Sequence, residues 1–466
     1  MKKNDLLTIK TEKMINQGIC LGRYEGKVVL IDGCLPDEVV RVKVKKVKKD
    51  YIEAIAVDIL NESKNRITPR CKYFGLCGGC KLQNLDYREQ LKIKKSFVED
   101  AFMRISKIYD VEINDVIASD DEYFYRNKME YSFAKRWLFE GINYNDKEKE
   151  FALGLHIPKQ FEKVMHIEEC FLQSQFSNEV RNFVANFLFE RNVSIHSLKN
   201  RDGLLKALLI REARNTSEKL VGLVTTNYDE ALITELGNVL SAKYPEITTF
   251  VNLISRPDLS STLPEKIITI FGKGYIIEKL GEYQFEIYPN TFFQTNTKQA
   301  EKLFSVLENY LQKEITDKSN TLLIDLYSGV GVIGIILSKY FEKVLGFEEI
   351  KESILAAKRN ASINNVHNIF FIQQNLLKGL SLEKEYLEKD ITIVVDPPRA
   401  GMNNELIKSI IQLRPKNLIY ISCNPVTQAR DLIELKEYYK IEFIQPVDMF
   451  PQTFHIENIA ILKLFS

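Results

Sequence analysis

The sequence lacks several features that would place the protein outside the ordinary globular class. It has no stretch of about 18 apolar residues, the length that a membrane-spanning helix needs, so we expect no membrane association. Its first 14 residues contain lysines but no long apolar core, which predicts no secretory signal and a cytoplasmic location. Cysteine is scarce, since seven in 466 residues are too few for a disulfide scaffold.

An excess of either charge is also missing. Lys and Arg together number 64 and Asp and Glu 63, which gives a net charge of +1. This balance excludes a uniformly basic coat for nucleic acid but is compatible with a local basic patch. Hydrophobic residues make up 45% of the chain, which excludes disorder as its main state.

The length predicts two to four domains, at roughly 100–200 residues each. We divide the chain into a small β-barrel at 1–61, a central mixed α/β domain at 62–280 and a doubly wound α/β domain at 281–466. No obligate protein partner is implied.

The first domain is rich in short strand-like runs with glycine turns, which is typical of a closed barrel of the OB type. Arg41, Lys43 and Lys45 alternate with Val42 and Val44, so the basic side chains share one face of a strand. One interpretation is an exposed edge strand protected by lysines. The other is a phosphate-contacting face, which is favoured because six of the nine residues 41–49 are basic and none is acidic.

From about residue 320, apolar strand-like runs alternate regularly with helical patterns. Strands that are apolar on both faces and alternate with helices predict a parallel, doubly wound sheet. In such sheets, ligands bind at the carboxyl ends of the strands. The residues that follow each strand are therefore the candidates for a functional site.

The first two strand ends predict a nucleotide-type cofactor. The first strand is followed by Gly329, Gly331 and Gly334 in a Gly-x-Gly-x-x-Gly pattern that opens a helix, and the second ends in Glu348, which can bind a ribose diol. A nicotinamide dinucleotide and S-adenosylmethionine both contain an adenosine ribose. Asp325, just before the glycines, favours S-adenosylmethionine because its ammonium group needs an acceptor.

The fourth and fifth strand ends carry candidate catalytic groups. Asp396 precedes two prolines that fix a rigid loop. Cys423 lies after the fifth strand and before a helix, where the helix N-terminus is expected to lower the pKa of the thiol and promote the thiolate. Glu457 and His455 follow later and are expected at the same edge of the sheet.

A methyl donor beside a thiolate points to carbon 5 of uracil, which is too weak a nucleophile to attack a sulfonium methyl unaided. Addition of the thiolate to carbon 6 gives an enolate whose carbon 5 can attack. A base must then remove the proton from carbon 5 so that the cysteine can leave.

With these residues the sequence resembles the RNA uracil-5-methyltransferases over nearly the whole chain. The resemblance implies a class I, S-adenosylmethionine-dependent enzyme with Cys423, in Ser422-Cys423-Asn424-Pro425, as the nucleophile. It implies Glu457, in His455-Ile456-Glu457-Asn458, as the general base. The cofactor positions that it implies are Gln294, Tyr327, Glu348, Asn375 and Asp396.

Three cysteines, Cys71, Cys77 and Cys80, fall within ten residues. Ligand count alone leaves zinc and an iron–sulfur cluster open, because zinc sites usually offer two short cysteine pairs whereas a [4Fe–4S] cluster takes four thiolates, the last often distant. The resemblance favours the cluster, since members of the rRNA branch of the family have this spacing. Cys170 is then the fourth ligand, and the role is structural.

The first domain resembles the TRAM domain, a small RNA-binding barrel, and the tRNA branch of the family lacks both barrel and cluster. The resemblance therefore implies 23S rRNA as the substrate. Tyr123 to Lys128 have two interpretations that stay open: aromatic and basic groups for RNA contact, or a strand with one buried aromatic face. The alternatives are a tRNA uracil-5-methyltransferase, a non-catalytic RNA-binding protein with a degenerate methyltransferase domain, and a nicotinamide-dependent oxidoreductase with an iron–sulfur cluster.

Overall fold

The computed structural model describes residues 1–260 and 262–465. Three sheets organise the chain: an N-terminal closed barrel, a central seven-stranded sheet and a C-terminal seven-stranded sheet. Within the described stretches, no helix is long and apolar enough to span a bilayer.

The barrel confirms the predicted small β domain. Val42 and Val44 are fully buried and Arg41 and Lys45 are exposed, as the alternation predicted. The strand at 39–47, which carries the basic residues, pairs along its length with the strand at 51–61. Its residues Val39–Lys43 also pair with the strand at 6–15, so this stretch is not an edge strand. The strands of the barrel are β1 (Leu6–Ile15), β2 (Ile19–Tyr24), β3 (Lys27–Asp32), β4 (Val39–Val47) and β5 (Tyr51–Asn61). Around the barrel they follow the order β1-β2-β3-β5-β4.

The central domain is a mixed sheet with helices packed on it. The sheet order is β12-β11-β10-β9-β6-β7-β8, and a separate hairpin follows it. The helices are α1 (Tyr87–Ala101), which continues into a π-helical turn at Phe102–Ser106, α2 (Asp146–Glu150), α3 (Gln175–Glu190) and α4 (Glu230–Lys243). The strands are β6 (Lys128–Arg136), β7 (Ala152–Ile157), β8 (Gln160–His166), β9 (Leu205–Glu212), β10 (Lys219–Thr225), β11 (Thr249–Ile254), β12 (Lys266–Phe271), and the hairpin β13 (Ile276–Leu280) and β14 (Tyr283–Ile287).

The C-terminal sheet has the order β17-β16-β15-β18-β19-β21-β20. Its first five strands in that order are parallel, as predicted, but β21 and β20 are antiparallel to their neighbours. The strands are β15 (Thr321–Leu326), β16 (Lys343–Glu348), β17 (Ile369–Gln373), β18 (Asp390–Val395), β19 (Asn417–Ser422), β20 (Tyr439–Val447) and β21 (Glu457–Leu464). The helices are α5 (Thr297–Glu314), α6 (Val332–Leu337), α7 (Lys351–Ile363), α8 (Asn404–Leu413) and α9 (Pro425–Leu435).

The central and C-terminal parts are closely joined. The proposed boundary at 280/281 falls between the paired strands β13 and β14, and this hairpin is bonded to α7 through the backbone N–H of Glu286 and the side chain of Asn360, 2.8 Å apart. Val98 and Phe102, at the end of α1, belong to the same buried core as Leu418 of β19. The doubly wound domain therefore packs against residues from well before 281.

Candidate active site

The glycine loop after β15 has the geometry of a nucleotide-binding turn. Gly331 has φ +84° at the start of α6, and a Cβ placed there would lie 2.7 Å from the ring of Phe371. Both conditions require glycine. The backbone N–H of Gly329 donates to Glu348 Oε2 at 3.0 Å, and that of Gly334 donates to Asp325 Oδ2 at 2.9 Å. The loop is thus fixed to the ends of β15 and β16.

Two polar atoms beneath this loop are unsatisfied. Asp325 Oδ1 and Ser328 Oγ are buried without a hydrogen-bond partner among the described residues. Burial raises the pKa of Asp325 to about 8, and the nearby charges of Asp396 and Glu348 add to the shift. A buried carboxyl oxygen without a partner costs free energy, which a cationic ligand group would offset.

Four of the five predicted cofactor residues lie at the carboxyl edge of the sheet. Tyr327 directly follows β15 with a left-handed backbone (φ 63°), and Glu348 is the last residue of β16. Asn375 follows β17 and donates to Glu349 Oε1 at 2.7 Å, and Asp396 follows β18.

Gln294 lies apart from these strand ends, in the segment between β14 and α5. Its backbone carbonyl accepts a hydrogen bond from Asn127 Nδ2 at 3.0 Å, which ties this segment to the start of β6. The side chain of Gln294 is half-buried.

Cys423 and Glu457 are brought together by the antiparallel pairing of β19 and β21. Ser422 pairs with Asn458, so the residue after β19 and the first residue of β21 lie at the same end of the two strands. Asn424 caps α9 and accepts a hydrogen bond from the N–H of Val426, which fixes the turn that follows Cys423.

The thiol does not have the lowered pKa that its position before a helix predicted. The pKa of Cys423 is raised to about 11, mainly by burial and to a smaller extent by the neighbouring charges of Glu457 and Asp396, while Arg399 and the backbone N–H act to lower it. The helix N-terminus is therefore outweighed by desolvation and by negative charge. Cys423 is a neutral thiol at pH 7 in this pocket.

The two carboxyl groups beside Cys423 also favour their protonated forms. Burial raises the pKa of Asp396 to about 7 and holds that of Glu457 well above its usual range, and the charge of Asp396 adds to the shift of Glu457. Arg399 acts in the opposite direction on Glu457. A carboxyl group with a raised pKa is a stronger proton acceptor once it is ionised.

Arg399 is a site residue that the sequence reasoning did not assign, although it directly follows Asp396-Pro397-Pro398. Its Nη2 lies 3.5 Å from His455 Nε2, and its backbone carbonyl accepts a hydrogen bond from Asn424 Nδ2 at 3.2 Å. The pKa of His455 is lowered to about 4, mainly by burial and also by the positive charge of Arg399. His455 is therefore a neutral and weakly basic imidazole at pH 7.

A buried ion pair holds the loop between β20 and β21, which leads to Glu457. Lys94 Nζ of α1 lies 2.6 Å from Asp448 Oδ1, and both side chains are fully buried. Lys94 also donates to the carbonyl of Phe450 at 3.0 Å, and Tyr87 donates to Asp448 Oδ2 at 2.9 Å. Removal of one partner from a buried pair costs about 3–5 kcal/mol, so α1 is a major constraint on this loop.

The four cysteines of the central domain surround one cavity. Cys71, Cys77, Cys80 and Cys170 all line it. Burial raises the pKa of Cys77 to about 12 and also raises the pKa values of Cys71 and Cys80. No group of three or more His, Cys, Asp or Glu side chains in the described part of the chain is arranged to hold a single metal ion.

Comparison with known proteins fits this architecture. The fold and site define an α/β methyltransferase-type domain joined to a small barrel. A family model described as tRNA (Uracil-5-)-methyltransferase matches residues 248–464, and the TRAM domain matches residues 6–57.

The similarity extends over the full length of the relatives. An uncharacterized RNA methyltransferase of Bacteroides thetaiotaomicron is 36% identical over 97% of this chain and 100% of its own. An uncharacterized RNA methyltransferase of Chlorobaculum tepidum is 36% identical over 98% of this chain and 96% of its own. The crystal structure of the Pyrococcus abyssi tRNA (uracil-54, C5)-methyltransferase with S-adenosyl-L-homocysteine is 28% identical, with a TM-score of 0.74 over 97% of this chain and 99% of that one. The chain belongs to the tRNA (uracil-5-)-methyltransferase family of RNA methyltransferases.

Proposed function

We propose that the protein methylates carbon 5 of uridine in 23S rRNA with S-adenosylmethionine, through a covalent bond between Cys423 and carbon 6. The observation that carries this proposal is the placement of Cys423 and Glu457 at adjoining ends of β19 and β21, at the edge where the glycine loop opens. A nucleophile and a proton acceptor are thereby present at one site, as the reaction requires.

The residues at the sheet edge fit the cofactor. The unsatisfied Asp325 Oδ1 and Ser328 Oγ offer acceptors beneath the glycine loop, and Glu348 offers a carboxylate for a ribose diol. Tyr327, Asn375, Asp396 and Gln294 are the other positions proposed to hold it. When bound, S-adenosylmethionine supplies an electrophilic methyl group.

The first role of the chain is to make carbon 5 nucleophilic. The sulfur of Cys423 bonds to carbon 6, and the electron pair of the C5=C6 double bond moves into an enolate. Because the thiol is neutral at pH 7, its proton must leave as this bond forms. This proton passes to Asp396, whose pKa of about 7 leaves part of the group ionised, so that Glu457 stays available for the later step. Arg399 favours the thiolate by its charge.

The second role is to remove the proton from carbon 5 after that carbon has gained the methyl group. Glu457 takes the proton, the electrons of the C–H bond restore the C5=C6 double bond, and the thiolate of Cys423 leaves carbon 6. Glu457 suits this step better than His455, because the pKa of His455 is lowered to about 4 and that of Glu457 is raised.

The choice between rRNA and tRNA rests on the central domain. The cysteine spacing resembles that of the rRNA branch, which supports 23S rRNA. The tRNA enzyme of Pyrococcus abyssi is similar over 97% of this chain, so the presence of a barrel alone does not separate the two substrates, and tRNA is the second candidate. In both cases the target base must leave its stack to reach Cys423, and the basic face of β4 is a proposed contact for the RNA backbone.

Mapping of 5-methyluridine tests the function and the substrate together. We expect cells without the gene to lose the modified base from 23S rRNA and to keep it in tRNA, measured by mass spectrometry of nuclease digests. Re-expression of the wild-type gene should restore it, and re-expression of the Cys423→Ala variant should not. Loss from tRNA alone would establish the tRNA alternative, and unchanged 5-methyluridine in both RNAs would contradict the proposal.

We also propose that Cys71, Cys77, Cys80 and Cys170 bind a [4Fe–4S] cluster with a structural role. The four cysteines line one cavity, and four thiolates are the ligand set that such a cluster takes.

A buried arginine is linked to Cys170 through one asparagine. Arg181 is fully buried, and its Nη1 donates to Asn178 Oδ1 at 2.8 Å. The same oxygen accepts the backbone N–H of Cys170 at 2.8 Å, which fixes the segment that carries the proposed fourth ligand. The charged residue that lines the cavity itself is Glu169.

Protein purified without oxygen should therefore be brown and contain about four iron and four sulfide per chain. Cys170→Ala should lose the cluster or destabilise the protein, as measured by iron content and thermal unfolding. Cys34→Ala, in the buried core of the barrel, is the matched control and should keep the iron. A colourless protein with one zinc per chain would contradict the assignment.

A further inference from the structure

A cavity of about 190 Å³ lies on the barrel side of Cys423. The catalytic domain contributes Cys423, Arg399 and His455 to its wall, and the turn between β1 and β2 contributes Asn16 and Gln17. The N-terminal barrel is therefore part of the wall beside the proposed nucleophile, more than 400 residues away in the sequence.

Cys423 lies in the wall of this cavity, whereas the other proposed reaction groups lie outside it. None of the five proposed cofactor residues lines it, and neither does Glu457. A uracil that presents carbon 6 to Cys423 and carbon 5 to a methyl donor at the sheet edge must lie between the cysteine and that edge. Pockets for drug-sized ligands begin at roughly 300 Å³, so the smaller cavity suits a single base. The base that fits here is that of a nucleotide next to the target.

The wall has the chemistry that recognises an unstacked RNA base. Phe454 packs on the ring of His455 with centroids 4.2 Å apart and ring planes inclined by 41°, so aromatic ring faces are available in the wall for stacking. Asn16 and Gln17 supply amide donors and acceptors, and the exposed guanidinium of Arg399 suits a phosphate. Single-stranded RNA is read by this combination of stacking and hydrogen bonding to base edges.

The turn that carries Asn16 and Gln17 has a left-handed backbone conformation at two successive residues. Gln17 has φ 71°, a left-handed backbone that residues with a Cβ rarely adopt, and Gly18 follows with φ 73°. Asn16 Oδ1 accepts the backbone N–H of Gln17 at 2.8 Å, which stabilises the turn. This backbone conformation and the hydrogen bond of Asn16 fix the direction in which the turn presents the Gln17 side chain.

We propose that Asn16 and Gln17 form, with the Phe454–His455 surface, a base-binding subsite that reads the identity of a nucleotide adjacent to the methylated uridine. The subsite rests on the proposed function, because it requires an RNA chain whose target base reaches Cys423. It assigns to the barrel a role in sequence selection in addition to any backbone contact.

The test uses the full chain and a pool of RNA hairpins whose loops contain a fixed 5-fluorouridine flanked by randomised nucleotides. Because fluorine replaces the hydrogen at carbon 5, Glu457 has no proton to remove after methyl transfer. The bond between Cys423 and the RNA therefore persists, and the captured RNA can be sequenced. We expect wild type to enrich one base about tenfold at one adjacent position, as a good amide–base contact gives. Gln17→Ala and Asn16→Ala should reduce this preference to about twofold and leave the other positions unchanged.

Asn4→Ala is the matched control, because Asn4 is an exposed amide of the same barrel with φ 76° and does not line the cavity. It should keep the wild-type preference. A subsite is contradicted if the two variants capture RNA with the wild-type preference at every position, or if Asn4→Ala changes it equally. Absence of any captured RNA with wild type and S-adenosylmethionine would instead overturn the proposed function, and the subsite with it.

Discussion

Replacement of Cys423 with alanine is expected to lower the rate of uridine methylation by about 10⁴-fold or more, because carbon 5 has no other route to a nucleophilic form. The affinity for S-adenosylmethionine should stay within about twofold of wild type, since the thiol acts on the base and none of the proposed cofactor residues lies at the end of β19. Transfer of labelled methyl groups to RNA measures the first quantity, and calorimetric titration with the cofactor measures the second.

The control for this variant is Cys20→Ala, which removes a fully buried thiol from the barrel core and leaves the sheet edge intact. It should retain methylation when compared at equal folded protein. Methylation by Cys423→Ala at a rate near that of wild type would show that the reaction does not pass through this cysteine. Loss of cofactor binding in the same variant would show that Cys423 has a structural role at the cofactor site.

The parts of the fold that follow local rules could be predicted from the sequence. From about residue 320 the alternation of apolar runs and helical patterns predicted strands and helices, and α8 and β19 are two of the elements found there. Apolar runs that alternate with amphipathic helices give strong local signals, because each strand is buried on both faces and each helix on one. The glycine turn and the residues after the parallel strands could be placed for the same reason.

The last two strands could not be placed in this way. β21 runs antiparallel to both β19 and β20, and its insertion between them depends on contacts between distant residues rather than on local periodicity. The sequence indicated that Glu457 would lie at the same sheet edge as Cys423. Its position as the first residue of a strand, opposite the end of β19, is known only from the register.

The charge states of the site also depend on the tertiary structure. A helix start after Cys423 predicted a lowered thiol pKa, whereas burial together with Glu457 and Asp396 raises it. Each of these carboxyl groups comes from a different strand, so a rule about neighbouring residues in the sequence does not include them. The contribution of Gln17 to the wall beside Cys423 has no sequence signal for the same reason.

The Glu457→Gln variant separates the two chemical roles of the site. A glutamine has nearly the same shape but cannot accept the proton of carbon 5, so we expect methyl transfer to occur once and elimination of Cys423 to slow by about 10²–10⁴-fold. A methylated protein–RNA adduct should then accumulate. It would be detected on a denaturing gel as a slowly migrating band that carries label from both the RNA and the methyl group.

His455→Gln is the matched comparison, because it changes the other proton acceptor of the same loop and the pKa of His455 is already lowered to about 4. No methylated adduct should accumulate in this variant. Accumulation with His455→Gln and not with Glu457→Gln would assign the base to His455. If neither variant gives an adduct while Glu457→Gln still turns over, a group other than these two removes the proton, and the raised pKa of Glu457 has to be explained by burial beside Asp396 alone.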